Sequence, residues 1–245
     1  MGVIEDLLGS LPARPIRLRD VRIGAFWTVV WTELGAGMAA TQQDSTAPHG
    51  ESLVRWAGDL LTRSAQELAD LLRSGSPMEV SLGMAAVNAL LTVDEKGLTD
   101  RNAAEVLVER GAGKRVAVVG HFPFVARLGR VARHLDVLEL RPGPGELPSE
   151  EAGAVLPQAD VVALTGTSLL NRTFDTLVAH CRPDAFVLVL GPTTPLANLL
   201  FDHGIDMLAG ARVTEPAVAL AVAGQGAIFR QMQGIQLVTM EKAIY

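Results

Sequence analysis

The side chains able to do chemistry in this 245-residue chain are few. Its five histidines, His49, His121, His134, His180 and His203, form no i, i+4 pair. A single cysteine, Cys181, excludes an intrachain disulfide and a thiolate metal cluster and is read as a small core residue. His121 has the more telling position. It follows Gly120 at the end of the apolar run 115–119, and Glu139 closes the next apolar run nineteen residues after Gly120. An acid at that spacing commonly holds a ribose hydroxyl. If the two side chains meet, they could share a hard or borderline metal, or His121 could serve as general acid or base.

Hydroxyls make up the second group. Thr165, Gly166, Thr167 and Ser168, with Asn171 just beyond, follow one apolar run; Gly191, Pro192, Thr193 and Thr194 follow another. Asn171 and Thr194 are read as helix caps, Thr194 ahead of Pro195 at the first helical position. The hydroxyls exceed the one cap each helix needs. Two helix starts on one rim would also offer unpaired N–H groups to an anion or an oxygen-rich ligand. Asn88 stands in an apolar helical stretch, where an unsatisfied amide is costly. It either ties a loop carbonyl or contacts substrate.

These residues need a scaffold, and the stretch from Lys114 to Glu139 supplies its first unit: strand, tight turn, helix, strand, the pattern of a parallel sheet. Further strands are expected at 161–165 and 186–190, with a fifth at 207–209 or 236–239. Helices are expected at about 124–134, 149–156, 172–181, 195–202 and 215–223. Near-continuous apolar strands such as VAVVG and AFVLVLG belong to a sheet covered on both faces. The fold class is α/β, a Rossmann-like doubly wound parallel sheet. After Gly120 the next glycine is Gly129, so the dinucleotide fingerprint is missing. A nucleoside without its pyrophosphate, such as S-adenosylmethionine, stays open as a cofactor.

Before residue 112 the pattern is different. Residues 21–32 alternate, placing Val21, Ile23, Ala25, Trp27, Val29 and Trp31 on one face of a strand, with 37–42 as its hairpin partner. The Trp27/Trp31 face is read as core, with a homodimer surface as the alternative. A polar loop at 44–51 could cover a cleft. Ser64 with Glu67 and Ser76 with Glu79 have capping-box spacing, and Pro77 opens a helix to about 91. A helix over 100–110 closes at Gly111-Ala112-Gly113. The boundary is therefore set at 112, with a smaller α+β domain over 1–112 and the Rossmann-like domain over 113–245.

Composition narrows the partners. A formal charge of −6 argues against nucleic acid, and no apolar run is long enough to span a bilayer. The start, MGVIEDLLGSLPARP, lacks the basic and apolar regions of a signal peptide, so a cytoplasmic location is expected. Asp6 stands where a myristoylation motif needs Ser or Thr.

The segments SLGMAAVNALL at 81–91, VAVVGHFPF at 116–124, ADVVALTGTSLLNRT at 159–173 and LGPTTPLANLLFDHGIDMLAGARV at 190–213 resemble the heavy-metal chelation domain family. The resemblance implies a Rossmann-like C-terminal domain after an enolase N-terminal-like domain, with the motifs lining the cleft between them. It implies a role in handling or making metal-chelating small molecules. By position it carries over Asn88, Gly120, His121, Glu139, Thr165, Gly166, Thr167, Asn171, Gly191, Pro192, Thr193 and Gly210. The sequence departs from the family at Gly224-Gln225-Gly226-Ala227-Ile228-Phe229-Arg230, where the glycine run is shorter.

The leading expectation is an enzyme acting on a small polar or metal-chelating metabolite in the interdomain cleft. His121 and Glu139 would be its catalytic or metal-binding pair, and Asn88 its contact from across the cleft. A non-catalytic metal or metallophore carrier and an S-adenosylmethionine-dependent enzyme are the alternatives.

Overall fold

The computed structural model describes residues 2–43, 50, 52–93 and 95–242. After a short helix α1 (Val3–Gly9), the alternating stretch becomes two strands, β1 (Leu18–Ile23) and β2 (Trp27–Thr32), joined by a turn in which Gly24 N donates to Trp27 O at 3.0 Å. The single strand expected over 21–32 is thus a hairpin. The expected single face does not form: the register pairs Arg22 with Val29 and Ile23 with Thr28, so Val21 and Ile23 lie on the opposite face of the sheet from Trp27, Val29 and Trp31. Strand β3 (Ala36–Ala40) pairs antiparallel with β2, the expected hairpin partner, and completes a three-stranded sheet.

Helices cover both faces of this sheet. Helix α2 (Ala65–Ala69) opens with the expected capping box, both Ser64–Glu67 bonds being present. Helix α3 (Pro77–Leu90) begins with Pro77 and has eleven of its fourteen residues buried. Ser76 does not cap it. Its hydroxyl donates to Leu53 O, while Glu79 is claimed by the backbone N–H and guanidinium of Arg55 and by the Ser74 hydroxyl. The charged donor is the stronger partner. β3 lies directly on α3: a Cβ on Gly37 would sit 2.3 Å from Ala89 N and 2.5 Å from Ala85 O. The residues expected to form the cleft-covering loop, 44–51, lie outside the described residues apart from Gly50.

A second sheet follows. Its strands are β4 (Leu98–Thr99), β5 (Arg115–Val119), β6 (His134–Glu139), β7 (Leu147–Pro148), β8 (Val161–Thr165), β9 (Phe186–Leu190), β10 (Met207–Val213) and β11 (Ile235–Glu241). Their order is β4-β11-β10-β9-β8-β5-β6-β7. The pairs from β10 to β7 are parallel; β11 runs antiparallel to β10 and β4. Both candidates for a fifth strand therefore form, and they pair with each other. Burial of Val116, Ala117, Val118, Val162, Ala163 and Leu164 on both faces explains the unbroken apolar runs. β4 and the helix α4 (Ala103–Gly111), both ahead of residue 112, are built into this sheet and its helical layer.

The crossover helices are shorter than the periodicity predicts. The helix expected over 124–134 is α5 (Val125–Leu128), because β6 begins at His134 to pair with Arg115. The segment 149–156 contains only α6 (Ala152–Val155), flanked by 3₁₀ turns. α7 (Phe174–His180) follows Arg172, held in a left-handed conformation at φ +60°. No α-helix starts at Pro195; a 3₁₀ helix begins at Asn198. The last helix, α8 (Pro216–Gly224), leaves the large sheet and packs Ala219, Leu220 and Ala223 with Val29, Met38, Trp27 and Trp31 of the small one. Trp27 and Trp31 pack against this cluster while staying partly exposed, and Trp27 also meets Phe229 at 5.6 Å between ring centroids. The result is a doubly wound α/β sheet preceded by a small α+β unit. No described helix is long and apolar enough to cross a membrane.

Candidate functional site

In a doubly wound sheet, ligands lie outside the carboxyl ends of the strands where the winding reverses. Here the parallel strands run β6-β5-β8-β9-β10, so the reversal falls between β5 and β8. β5 ends in Gly120, whose φ of +108° turns the chain sharply into His121, and β8 ends in Thr165. Two clefts meet there, sharing His121, Phe122, Thr165 and Thr167.

The first, about 540 Å³, opens over β5, β6 and β8 and is the more polar of the two, with Glu139, Glu150, Ser149, Asn171, Thr176 and His180 on its walls beside apolar residues such as Leu138 and Leu177. The second, about 530 Å³, opens over β8, β9 and β10. It is largely apolar: Trp27 from the small sheet faces Phe122, Phe124, Phe229, Leu237 and Val238, with residues 100–104 at the mouth. The Phe122 and Phe124 rings stack at 5.1 Å.

At the junction His121 does not pair with Glu139. Its Nδ1 is 2.6 Å from Glu146 Oε1, and the other Glu146 oxygen accepts from Gly143 N at 2.7 Å. The Gly143-Pro144-Gly145 turn brings Glu146 back over the strand ends, with Gly145 at φ +84°. The Gly143 N–H, then the His121 ring, hold the Glu146 carboxyl below the usual carboxylate range. An ionised carboxylate only accepts, so the proton of this bond is carried by Nδ1. Glu139 lines the polar cleft and the same shallow depression as His121 and Glu146, and its Oε2 accepts from Leu140 N at 3.0 Å.

The hydroxyl-rich turns are mostly occupied within the protein. Ser168 Oγ donates to Thr165 O, and Thr193 Oγ1 accepts from Ala40 N. The Thr194 hydroxyl is buried without a hydrogen-bond partner among the described residues, pressed against Gly166, where a Cβ would come within 2.5 Å of it. Because no α-helix starts at Pro195, Thr194 caps nothing. Asn171 bonds Thr173 rather than the helix start: its Oδ1 accepts from Thr173 N and Oγ1. Thr165 and Thr167 remain at the clefts, their hydroxyls 2.9 Å apart, and Gly191, at φ +114°, lines the apolar cleft with Pro192.

Asn88 does not line either cleft. Its amide donates to Met38 O at 2.9 Å and Thr193 O at 3.1 Å, clasping β3 and the turn after β9 to α3. Three features escaped the sequence reading. Glu146 follows a Gly/Pro turn that carries no sequence signal of its own, Trp27 and Phe229 converge from distant segments, and His180 lies at the end of α7 on the wall of the first cleft.

The metal expectation can be tested on donors. Among the described residues no group of three or more His, Cys, Asp or Glu side chains could hold a metal ion. His121 and Glu139 do not form a pair, and burial pushes the Cys181 thiol up to about 11, far from the thiolate a soft metal needs. The described residues do not fit a heavy-metal ion held by protein ligands alone.

The architecture is that of an α/β protein with room for small ligands at its strand ends. The chain belongs to the heavy-metal chelation family: two sequence models described as "Putative heavy-metal chelation" match residues 4–91 and 102–241. A solved Desulfitobacterium hafniense protein of the second model's family, described as of unknown function, is 25% identical, with a TM-score of 0.86 over 98% of both chains. One from Pyrococcus horikoshii shares the fold, with a TM-score of 0.76 and 20% identity over 97% of each chain. An uncharacterised Methanocaldococcus jannaschii protein is 26% identical over 75% of this chain and 72% of its own.

Proposed function

We propose that this chain binds a small, flat, oxygen-bearing metabolite of metal-chelating type in the apolar cleft and acts on it as an enzyme. The observation that carries the reading is the His121–Glu146 pair at the mouth of a cleft walled by aromatic rings from both sheets. Aromatic walls suit a planar ring, and a carboxylate-oriented imidazole suits proton transfer at a hydroxyl of that ring. With no three-donor protein cluster among the described residues, a metal would come with the ligand rather than before it.

Trp27 makes the reading measurable, because its ring forms part of the cleft wall. Titration with 2,3-dihydroxybenzoate or salicylate, with and without Fe(III), is expected to change Trp27 emission saturably, and Trp27→Phe to abolish the signal. His121→Asn is expected to leave affinity within about threefold while removing any turnover. Tight uptake of Fe(III) or Zn(II) alone, with no response to either chelator, would overturn the proposal. A non-catalytic carrier is the second reading, favoured by the 69% exposure of the His121 side chain. Saturable chelator binding with no turnover in the parent chain would select it.

A further inference from the structure

The polar cleft on the β6 side is not needed by that reading, yet it is as large as its neighbour. We infer that it is a site for a purine nucleoside carrying no diphosphate, with Glu139 accepting the ribose hydroxyls and Leu140 lying against the base.

Position is the first argument, since the cleft lies outside the carboxyl ends of β5, β6 and β8, on the switch point of the sheet. Glu139 supplies the second. It closes β6 in the polar cleft, and its only bond to a described residue is from the Leu140 N–H to Oε2. Oε1 is left to accept from vicinal hydroxyls. Third, Leu140 is the most exposed large apolar side chain described, at 65%, and it borders the cleft directly after the acid. A lone exposed leucine needs no explanation, but one beside a ribose-type acid offers a base an apolar surface.

The same geometry excludes a diphosphate. In dinucleotide sites the pyrophosphate rests on a glycine turn at a helix N-terminus. Here the space over Gly120 is filled, a Cβ there lying 3.1 Å from the Phe122 ring and 3.0 Å from Thr165 Cβ. Pro123 lacks an N–H, and α5 has only four residues with no side-chain cap. Glu139 and Glu150 on the walls add negative charge against a polyphosphate, with Arg172 the one Lys or Arg among the described lining residues to offset it. At 540 Å³ the cleft lies within the ordinary range for small-molecule sites.

Calorimetric titration of the full chain with adenosine, S-adenosylhomocysteine, 2′-deoxyadenosine, NAD and ATP tests the assignment. One equivalent of adenosine or S-adenosylhomocysteine is expected to bind, with 2′-deoxyadenosine, NAD and ATP each at least tenfold weaker. Glu139→Gln should bring adenosine down to the level of 2′-deoxyadenosine, and Leu140→Ser should weaken both nucleosides by the same factor. Leu140 is exposed and Glu139 half-buried, and unchanged thermal midpoints would show that the variants fold. No heat with any nucleoside at millimolar concentration, NAD binding as tightly as adenosine, or ribose discrimination persisting in Glu139→Gln would overturn the inference. None of these outcomes bears on chelator binding at Trp27, so the two proposals can fail separately.

Discussion

Glu79 is a carboxylate 4% exposed in the first turn of α3. Burial alone would raise its pKa, but bonds from the Arg55 guanidinium, the Ser74 hydroxyl and the Arg55 N–H outweigh that and hold it below the ordinary value. A carboxyl depressed in the folded state stabilises above its unfolded pKa, and that contribution is lost as pH falls through the folded one. The stability advantage over Glu79→Gln should therefore be full at pH 7 and shrink below pH ~4.3. Urea midpoints at pH 7, 5 and 3.5 measure it, and an advantage constant across that range would refute the ion-pair account. Residue-scale legibility followed strand ends. Gly120, His121 and Glu139 could be placed at strand ends because apolar runs stop at them. Glu146 was missed because the Gly143-Pro144-Gly145 turn returns it to His121 through space, which no spacing encodes. Asn88 was ambiguous because an apolar helix says that an amide is costly, not what will pair with it.

At the scale of elements, strands were legible and crossover helices were not. A strand buried on both faces announces itself by composition, as at Val161–Thr165 and Phe186–Leu190. Segments such as 124–134 and 195–202 carry helix-compatible residues, but sheet pairing at His134 and the run after Thr194 override local preference. The same competition turned Ser76 away from α3 while Ser64 kept its box on α2. Contact between β3 and α3 rests on a missing side chain, because the helix backbone occupies the space a Cβ on Gly37 would need. Gly37→Ala is expected to cost about 1–3 kcal/mol through forced separation of the two elements. Gly75→Ala, where no atom lies within 4 Å, should stay within about 0.5 kcal/mol. Equal urea midpoints for the two variants would show that the contact can relax.

At the scale of the whole molecule, the two sheets do not own separate cores. Ala39, Leu82 and Met84 share one apolar cluster with Val162, Val187 and Leu208, and α8 from the far end of the chain covers the small sheet. Asn88 and Ala40 both bond Thr193, adding polar ties across the same junction. We propose that the sequence boundary lies between residues 91 and 98, since β4 already belongs to the large sheet, and that it divides the chain without dividing its stability. Chains of this length commonly unfold in stages, so the expectation is a demanding one. Calorimetry should show one transition with calorimetric and van't Hoff enthalpies in a ratio near one. Ala223→Asp, which places a charge from α8 against the small sheet, should lower that single transition rather than split it, because the strands it uncovers carry Val30 and Ala39 of the common core on their other face. Two resolved transitions in the parent chain, or a fragment of residues 1–91 that keeps native-like circular dichroism alone, would show that the halves fold independently. The apolar cleft between Trp27 and Phe122 would then open with their relative motion, whereas a single transition makes it as rigid as the core beneath it.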